Sequence, residues 1–320
     1  DKFMINRRTI LSGAAALAGA SALPAFAQDK PAEIRIGTQK GGFFPAVRQR
    51  GKIEEAFKPL GVNIKWIDFQ FGPPLLEAIN VGSLDFGYVG DAPPIFAQSG
   101  GARIRYVAAV TSRGNNQAIL VPQDSPIKSL ADLKGKKIAF GKGSSAHNLL
   151  VAALEKAGIA WTDITPVPLA PADATAAFTK GAVDAWSIWD PYVALAELKF
   201  NARAVAWEKD VHSSSAFYIA GADFVQKYPS LLARLNQAFS DEGKWAETHR
   251  EEVTKAQAEA TGVDIEAVRR AVERSVFQVG PVTDAVIKTQ QGVADRFAKL
   301  GLIPNPVNVA DIVWKWTPSS

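Results

Sequence analysis

The sequence predicts an α/β chain built as two duplicated lobes that face each other across a cleft and are joined by a two-strand hinge. Three observations lead there. First, one phrase is written twice. Gly82-Ser83-Leu84-Asp85-Phe86-Gly87-Tyr88-Val89-Gly90-Asp91-Ala92-Pro93 returns as Gly181-Ala182-Val183-Asp184-Ala185-Trp186-Ser187-Ile188-Trp189-Asp190-Pro191-Tyr192, at a constant offset of 99 residues. Each copy reads as a turn, a short apolar strand, then an Asp and a Pro that open a helix. That offset exceeds the roughly 20–50 residues of a solenoid unit, so it marks a repeated lobe. Second, short apolar runs alternate with amphipathic stretches over the first two-thirds of the chain, the pattern of parallel α/β sheets. Third, after Ser213 the pattern changes to one strand followed by helices as far as Leu300, so the chain returns to the first lobe after building the second.

In order, strands are expected at residues 33–38, 63–69, 86–89 and 103–111. Helices at 46–60, 73–81 and 92–98 lie between them, the first ended by Gly61. The second lobe repeats the style, with strands at 117–121, 137–140, 165–169, 183–188 and 204–206. Its helices fall at 129–134, 146–157, 172–179 and 192–198, and Gly158 stops the strongly amphipathic 146–157. A strand at 214–220 leads back, and helices fill 224–300. The lobes are therefore expected at 28–113 with 216–320, and at 114–215. Gly114 at one crossing and Ser213-Ser214-Ser215 at the other suit the dihedral changes of a hinge.

Composition narrows the class. At 320 residues, 47% hydrophobic and 21% charged, the chain has apolar material for two cores. Arg7-Arg8 precede an Ala-rich apolar run over 9–23, and Ala25-Phe26-Ala27 is a small-x-small cleavage site. Residues 1–27 thus read as a secretory signal with residues added ahead of Met4, and Asn6-Arg7-Arg8-Thr9-Ile10-Leu11 resembles a twin-arginine export signal. Without that segment, which carries Lys2, Arg7, Arg8 and Asp1, the balance is 33 basic against 31 acidic residues. A net charge of +4 for the whole chain therefore gives no case for nucleic acid or a membrane surface. Beyond the signal no apolar run reaches the roughly 20 residues of a membrane span. There is no Cys, and Met4 is the only Met, so the mature chain would contain no sulfur. Chance composition and economy of sulfur both account for that.

Two kinds of strand end carry the chemistry. Asp91 before Pro93-Pro94, and Asp190 before Pro191, read as helix N-caps with Pro in the first turn. Each carboxylate either binds the first free amides of its helix or faces the cleft to receive a ligand amine. Gly141-Lys142-Gly143-Ser144-Ser145-Ala146-His147-Asn148 follows a strand and opens a helix. Its glycines allow close backbone approach, and serine hydroxyls lie beside amides that carry roughly half a positive charge, which makes an anion cradle. Gln39-Lys40-Gly41-Gly42 and Phe71-Gly72-Pro73 form the counterpart on the other lobe, where Lys40, like Lys142, is solvated or an electrostatic helper. Phe43, Phe44, Phe71 and Trp189, at strand ends, suggest a site with a charged head and an apolar body. His147 stands near Ser144, but no acid partner completes a hydrolase pattern. His212 and His249 are isolated, and no metal constellation or cofactor motif stands out.

Three segments carry a resemblance: residues 90–98, residues 142–150 and residues 184–192. In register, they closely resemble the aliphatic sulfonate-binding proteins of bacterial ABC importers, over residues 33–316. The resemblance implies a periplasmic two-lobe binding protein of type II, a monomer and not an enzyme. Such a receptor closes over an organic sulfonate and presents it to a permease and its ATPase. It implies ligand contacts at Gln39, Gly90, Asp91, Ser144, Ser145, Trp189 and Asp190, to which we add His147. The segment 111–116 departs from the pattern, and Arg113 there, if it faces the cleft, would favour a larger or more anionic ligand. Taurine, sulfate esters and aromatic sulfonates are the alternative ligands, and a thiamin-pyrimidine synthase the alternative on the same fold.

Overall fold

The computed structural model describes residues 30–319, so the export signal expected at 1–27 lies outside the described residues. The first lobe opens with β1 (Glu33–Thr38), α1 (Phe44–Arg50), α2 (Lys52–Phe57), β2 (Asn63–Asp68), α3 (Gly72–Asn80), β3 (Phe86–Val89), α4 (Ala92–Ser99) and β4 (Ile104–Thr111). The chain then crosses and builds β5 (Gln117–Pro122), β6 (Lys137–Phe140), α5 (Ser145–Lys156), β7 (Thr165–Pro168), α6 (Pro171–Thr179), β8 (Ala185–Trp189), α7 (Tyr192–Lys199) and β9 (Ala202–Trp207). It returns through β10 (Ser215–Gly221) into α8 (Ala222–Lys227), α9 (Pro229–Thr248), α10 (Arg250–Thr261), α11 (Ile265–Arg274) and α12 (Asp284–Lys299).

The strands form two five-stranded mixed sheets, ordered β2-β1-β3-β10-β4 and β7-β6-β8-β5-β9. In the first, β1 runs parallel to β2 and β3, while β10 is antiparallel to both β3 and β4. In the second, β6 runs parallel to β7 and β8, while β5 is antiparallel to both β8 and β9. The two topologies are the same, as the repeated phrase predicts, with β3 and β8 in equivalent places. In each sheet the lone antiparallel strand is the one that has just crossed from the other lobe. Two connections, residues 112–116 and 208–214, therefore link the lobes, and the chain from Pro31 onward groups as one unit.

One expected helix is divided. Gly51 takes the left-handed conformation at φ +65°, ending α1 and starting α2 within the stretch expected to be continuous. Glycine carries that conformation without the clash a side chain would meet. Val47, Ile53 and Phe57 remain buried along one face, so the apolar period survives the break.

The first lobe's core is aromatic. Phe239 of α9 lies 5.6 Å from Phe86, 5.2 Å from Tyr218 and 6.1 Å from both Phe44 and Trp66, ring centre to ring centre. Phe43 and Phe44, expected at the ligand cavity, belong to this cluster and are buried. The reason is the turn of α1, which points both rings inward under α9. Phe239 is fully buried, so Phe239→Ala should lower the unfolding free energy by about 3–5 kcal/mol, read from denaturant melts.

Candidate functional site

Parallel strands of an open α/β sheet leave their carboxyl ends facing a crevice where ligands bind. Here both sheets aim those ends at one another. From the first lobe come Gln39 and Gly41-Gly42 after β1, and Gly90 after β3; from the second come Ser144 and Ser145 after β6, and Trp189 and Asp190 at the end of β8. Together they line a cavity of about 120 Å³. The hinge side adds Asn116, Gln117 and Ala216, and the C-terminal helices add Gln257, Ala271 and Ser275.

The α5 end is built to present donors. Ser144 is the capping residue, in extended backbone (φ −89°, ψ 171°), but its hydroxyl makes no cap bond. It donates instead to the Gly141 carbonyl at 2.6 Å. The amides of His147 and Asn148 turn back to the Ser144 carbonyl. Among the described residues, nothing in the protein takes the amides of Ser145 and Ala146, which stand at the positive end of the helix. Gly143 holds φ +76°, which bends the loop toward that end.

The lobes are close together at this point. A Cβ placed on Gly90 would stand 2.7 Å from the Ser145 Cβ, so only glycine lets the β3–α4 turn lie against α5. A Cβ on Gly141 would come within 3.4 Å of the Phe71 ring, which sets that partly exposed aromatic across the cleft from the serine loop. Gln70 Oε1 also accepts from the Ala172 amide at 3.1 Å, another bond between the lobes.

A family profile described as NMT1/THI5 like matches residues 57–253. The chain is 38% identical over 312 residues to a putative aliphatic sulfonates-binding protein of Escherichia coli (strain K12), covering 97% of this chain and 98% of that protein. It is 33% identical to a protein of the same description from Bacillus subtilis (strain 168), covering 88% and 85%. The chain belongs to the NMT1/THI5-like family, among the aliphatic sulfonate-binding proteins. The fold agrees. The alkanesulfonate-binding protein SsuA from Xanthomonas axonopodis pv. citri, bound to MOPS, superposes with a TM-score of 0.82 at 40% identity, covering 89% of this chain and 99% of that one.

Of the residues expected at a ligand, six line the cavity: Gln39, Gly90, Ser144, Ser145, Trp189 and Asp190. Three stand elsewhere. Asp91 is buried beneath the turn, where one carboxylate oxygen accepts from the Ala92 amide (2.7 Å) and the other from Asn148 Nδ2 of α5 (2.8 Å). It caps α4 and ties the lobes together. His147 packs among Phe96, Phe140, Trp161 and Phe297, and its Nδ1 accepts from the Gly143 amide at 3.1 Å. It shapes the serine loop from behind. Arg113 donates to the Ser275 carbonyl at 2.9 Å and borders a smaller adjoining cavity, so it fastens the hinge to the end of α11.

Asp190 has a mixed setting. Its Oδ1 accepts from the Ala194 amide at 2.9 Å, the helix-cap role, and from Arg274 at 3.3 Å. Burial pushes its carboxyl up to about 6, against the pull of Arg274. Arg274 is shared with Glu197 at 2.6 Å and lies 4.7 Å over the Trp207 ring. Sequence reasoning missed Asn116, Gln117, Gln257 and Ser275. Asn116 and Gln117 flank a crossing that was already marked, but Gln257 sits mid-helix, where no motif announces it.

Burial holds the His147 imidazole down to about 4, with the Lys142 charge adding to the effect. Between that value and about 6.5 the unfolded chain binds the proton and the folded one does not, so this residue's contribution is lost as pH falls through the window. Asp190 acts with opposite sign, because its raised value favours the folded state at low pH and weakens it as pH rises toward 6. His147→Gln should therefore cut the stability lost between pH 7 and pH 4.5 by about 3 kcal/mol at most, compared with wild type in urea melts.

Proposed function

We propose that this chain is the exported, solute-binding component of an ABC importer and captures organic sulfonates, alkanesulfonates first among them. The open amides of Ser145 and Ala146 beside two serines, met across the cleft by Gly90 and Gln39, carry this reading. A sulfonate stays ionised at any relevant pH, so its site needs donors and a positive dipole, not a proton acceptor. None of the residues lining the cavity is Lys or Arg, and the helix end meets the charge without a desolvated cation. Closing the lobes excludes water and strengthens those bonds.

The hinge separates lobes of residues 28–113 with 216–320, and 114–215, and the closed receptor delivers its ligand to a permease and ATPase from the periplasm as a monomer. A receptor suits the residues better than an enzyme. The Ser144 hydroxyl is committed to the Gly141 carbonyl and His147 Nδ1 to the Gly143 amide, so neither is poised as nucleophile or base.

A thermal-shift screen of alkanesulfonates, taurine, sulfate, nitrate and aromatic sulfonates tests this. The preferred sulfonate should stabilise the protein by about 2.7 kcal/mol at a hundredfold excess over its dissociation constant. Failure of every sulfonate to shift the melt would overturn the assignment. Gly90→Ala should weaken the best ligand at least tenfold, about 1.4 kcal/mol by calorimetry, because the added methyl meets Ser145 and props the lobes apart.

Asp190 distinguishes ligand types. An anion in the cavity disfavours the ionised carboxyl, so binding takes up a proton. Alkanesulfonate affinity should rise as pH falls toward about 6, by up to about tenfold per pH unit, level off below it, and lose this dependence in Asp190→Asn. A taurine-type ligand, whose amine pairs with that carboxylate, should show the opposite slope and lose affinity in the same variant.

A further inference from the structure

Behind the cavity, where the chain crosses between lobes, three ionisable side chains converge. Asp91 leaves the end of β3, while Glu208 and His212 sit on the connection from β9 to β10. A carboxylate oxygen from each acid and a ring nitrogen of His212 all lie within 4.8 Å of one another. Asp91 and Glu208 are 1% and 0% exposed, and the His212 side chain is 7% exposed.

His212 points to what the cluster holds. Its Nδ1 lies 3.0 Å from the Ser213 carbonyl, so the ring proton sits on Nδ1. In the neutral ring Nε2 then carries a lone pair. It is buried with no hydrogen-bond partner among the described residues, and Glu208 Oε1 stands 4.0 Å away, beyond hydrogen-bond reach. A buried lone pair turned toward two buried carboxylates is repulsive unless positive charge, a proton or a metal cation, lies between them, and the 4.0 Å gap is too wide for a shared proton.

The surrounding bonds orient each of the three. Glu208 accepts from Ser112 Oγ (3.1 Å), from Gln117 Nε2 (3.4 Å) and from the Ser214 hydroxyl. Asp91 accepts from Asn148, which is in turn held by Arg296 at 3.0 Å. A histidine whose second nitrogen donates to a backbone carbonyl, beside carboxylates fixed by neutral donors, is the usual outer support of a metal ligand set. One imidazole nitrogen with two carboxylates suits zinc, at bonds of about 2.0–2.2 Å, once the donors draw in by about an ångström.

We propose that Asp91, Glu208 and His212 bind one divalent transition-metal cation of the zinc class, which clamps the end of β3 to the returning hinge connection. Ser112 belongs to the other connection and Gln117 opens the strand that follows it, so the cation bears on both crossings at once. The site is separate from the sulfonate cavity and is tested without any sulfonate, so its failure leaves the receptor reading untouched.

The test uses chelator-stripped mature protein, with Zn²⁺ alone followed by calorimetry and Co²⁺ by visible absorption. One Zn²⁺ should bind per chain, raise the melting temperature and displace the Co²⁺ bands. Glu208→Gln and His212→Gln should each weaken binding at least tenfold. Absence of stoichiometric binding, or equal affinity in both variants, overturns the site. Should a variant fail to fold, imidazole ¹⁵N resonances of the wild type decide: a shift of His212 on adding Zn²⁺ supports the site. A His212 that only titrates with pH, unmoved by Zn²⁺, overturns it in favour of an imidazolium.

Discussion

Everything in the cleft depends on how closely the β3–α4 turn approaches the first turn of α5. Gly90 makes that approach sterically feasible, since any Cβ there would overlap Ser145. The Asp91–Asn148 hydrogen bond holds it, buried at 2.8 Å, with Arg296 on the far side of Asn148. A buried carboxylate is costly unless its oxygens are paired, and Asp91 has both paired, one by its own helix and one across the lobes. Once the turn is docked, the open amides of α5 look out over a small space rather than into bulk water. The polarity of the site is thus a product of interlobe packing, and no single residue confers it.

This arrangement explains both what the sequence revealed and what it hid. The repeat at 99 residues placed β3 and β8 in equivalent positions, and alternation of strands and helices gave both sheets, including β10 as a returning strand. Those features are local and periodic, so they survive without tertiary information. The serine loop was legible as a strand end that opens a helix, although serine-rich caps are common and the residues alone fitted a plain cap as well as an anion cradle. Facing direction was not. Asp91 and Asp190 occupy the same place in the repeat, yet one turns beneath the turn toward Asn148 and the other toward Arg274 of α11. Arg274 and Asn148 lie 84 and 57 residues away, and nothing near either Asp foretells them. His147 misled for a related reason. Its position in the loop was right, but aromatic rings from four other segments decide that it faces the core.

The C-terminal helices show the same limit from the other direction. Their apolar period predicted helices, and helices they are, but their role at the site comes from side chains that look ordinary in sequence. Gln257 donates to the Lys40 carbonyl at 3.0 Å and so fixes the loop after β1 that brings Gln39 and Gly41 to the cavity. Arg113 reaches the Ser275 carbonyl just past α11, and Arg274, the last residue of that helix, reaches the carboxylates of Asp190 and Glu197. Helix α11 thereby joins the hinge to the second lobe, although it follows β10 in the chain.

The charge balance around Asp190 shows why a receptor for a permanent anion would keep a carboxylate at its cavity. Arg274 alone would place an unpaired, largely buried guanidinium behind the site, and a desolvated cation grips an anion so firmly that release to a partner slows. Asp190 and Glu197 between them neutralise Arg274, at 3.3 and 2.6 Å. What remains facing the cavity is the weaker field of helix amides and hydroxyls. Those groups bind strongly only while the lobes exclude water, so opening the hinge lowers affinity at once, and the strength of capture is tied to the motion that ends it.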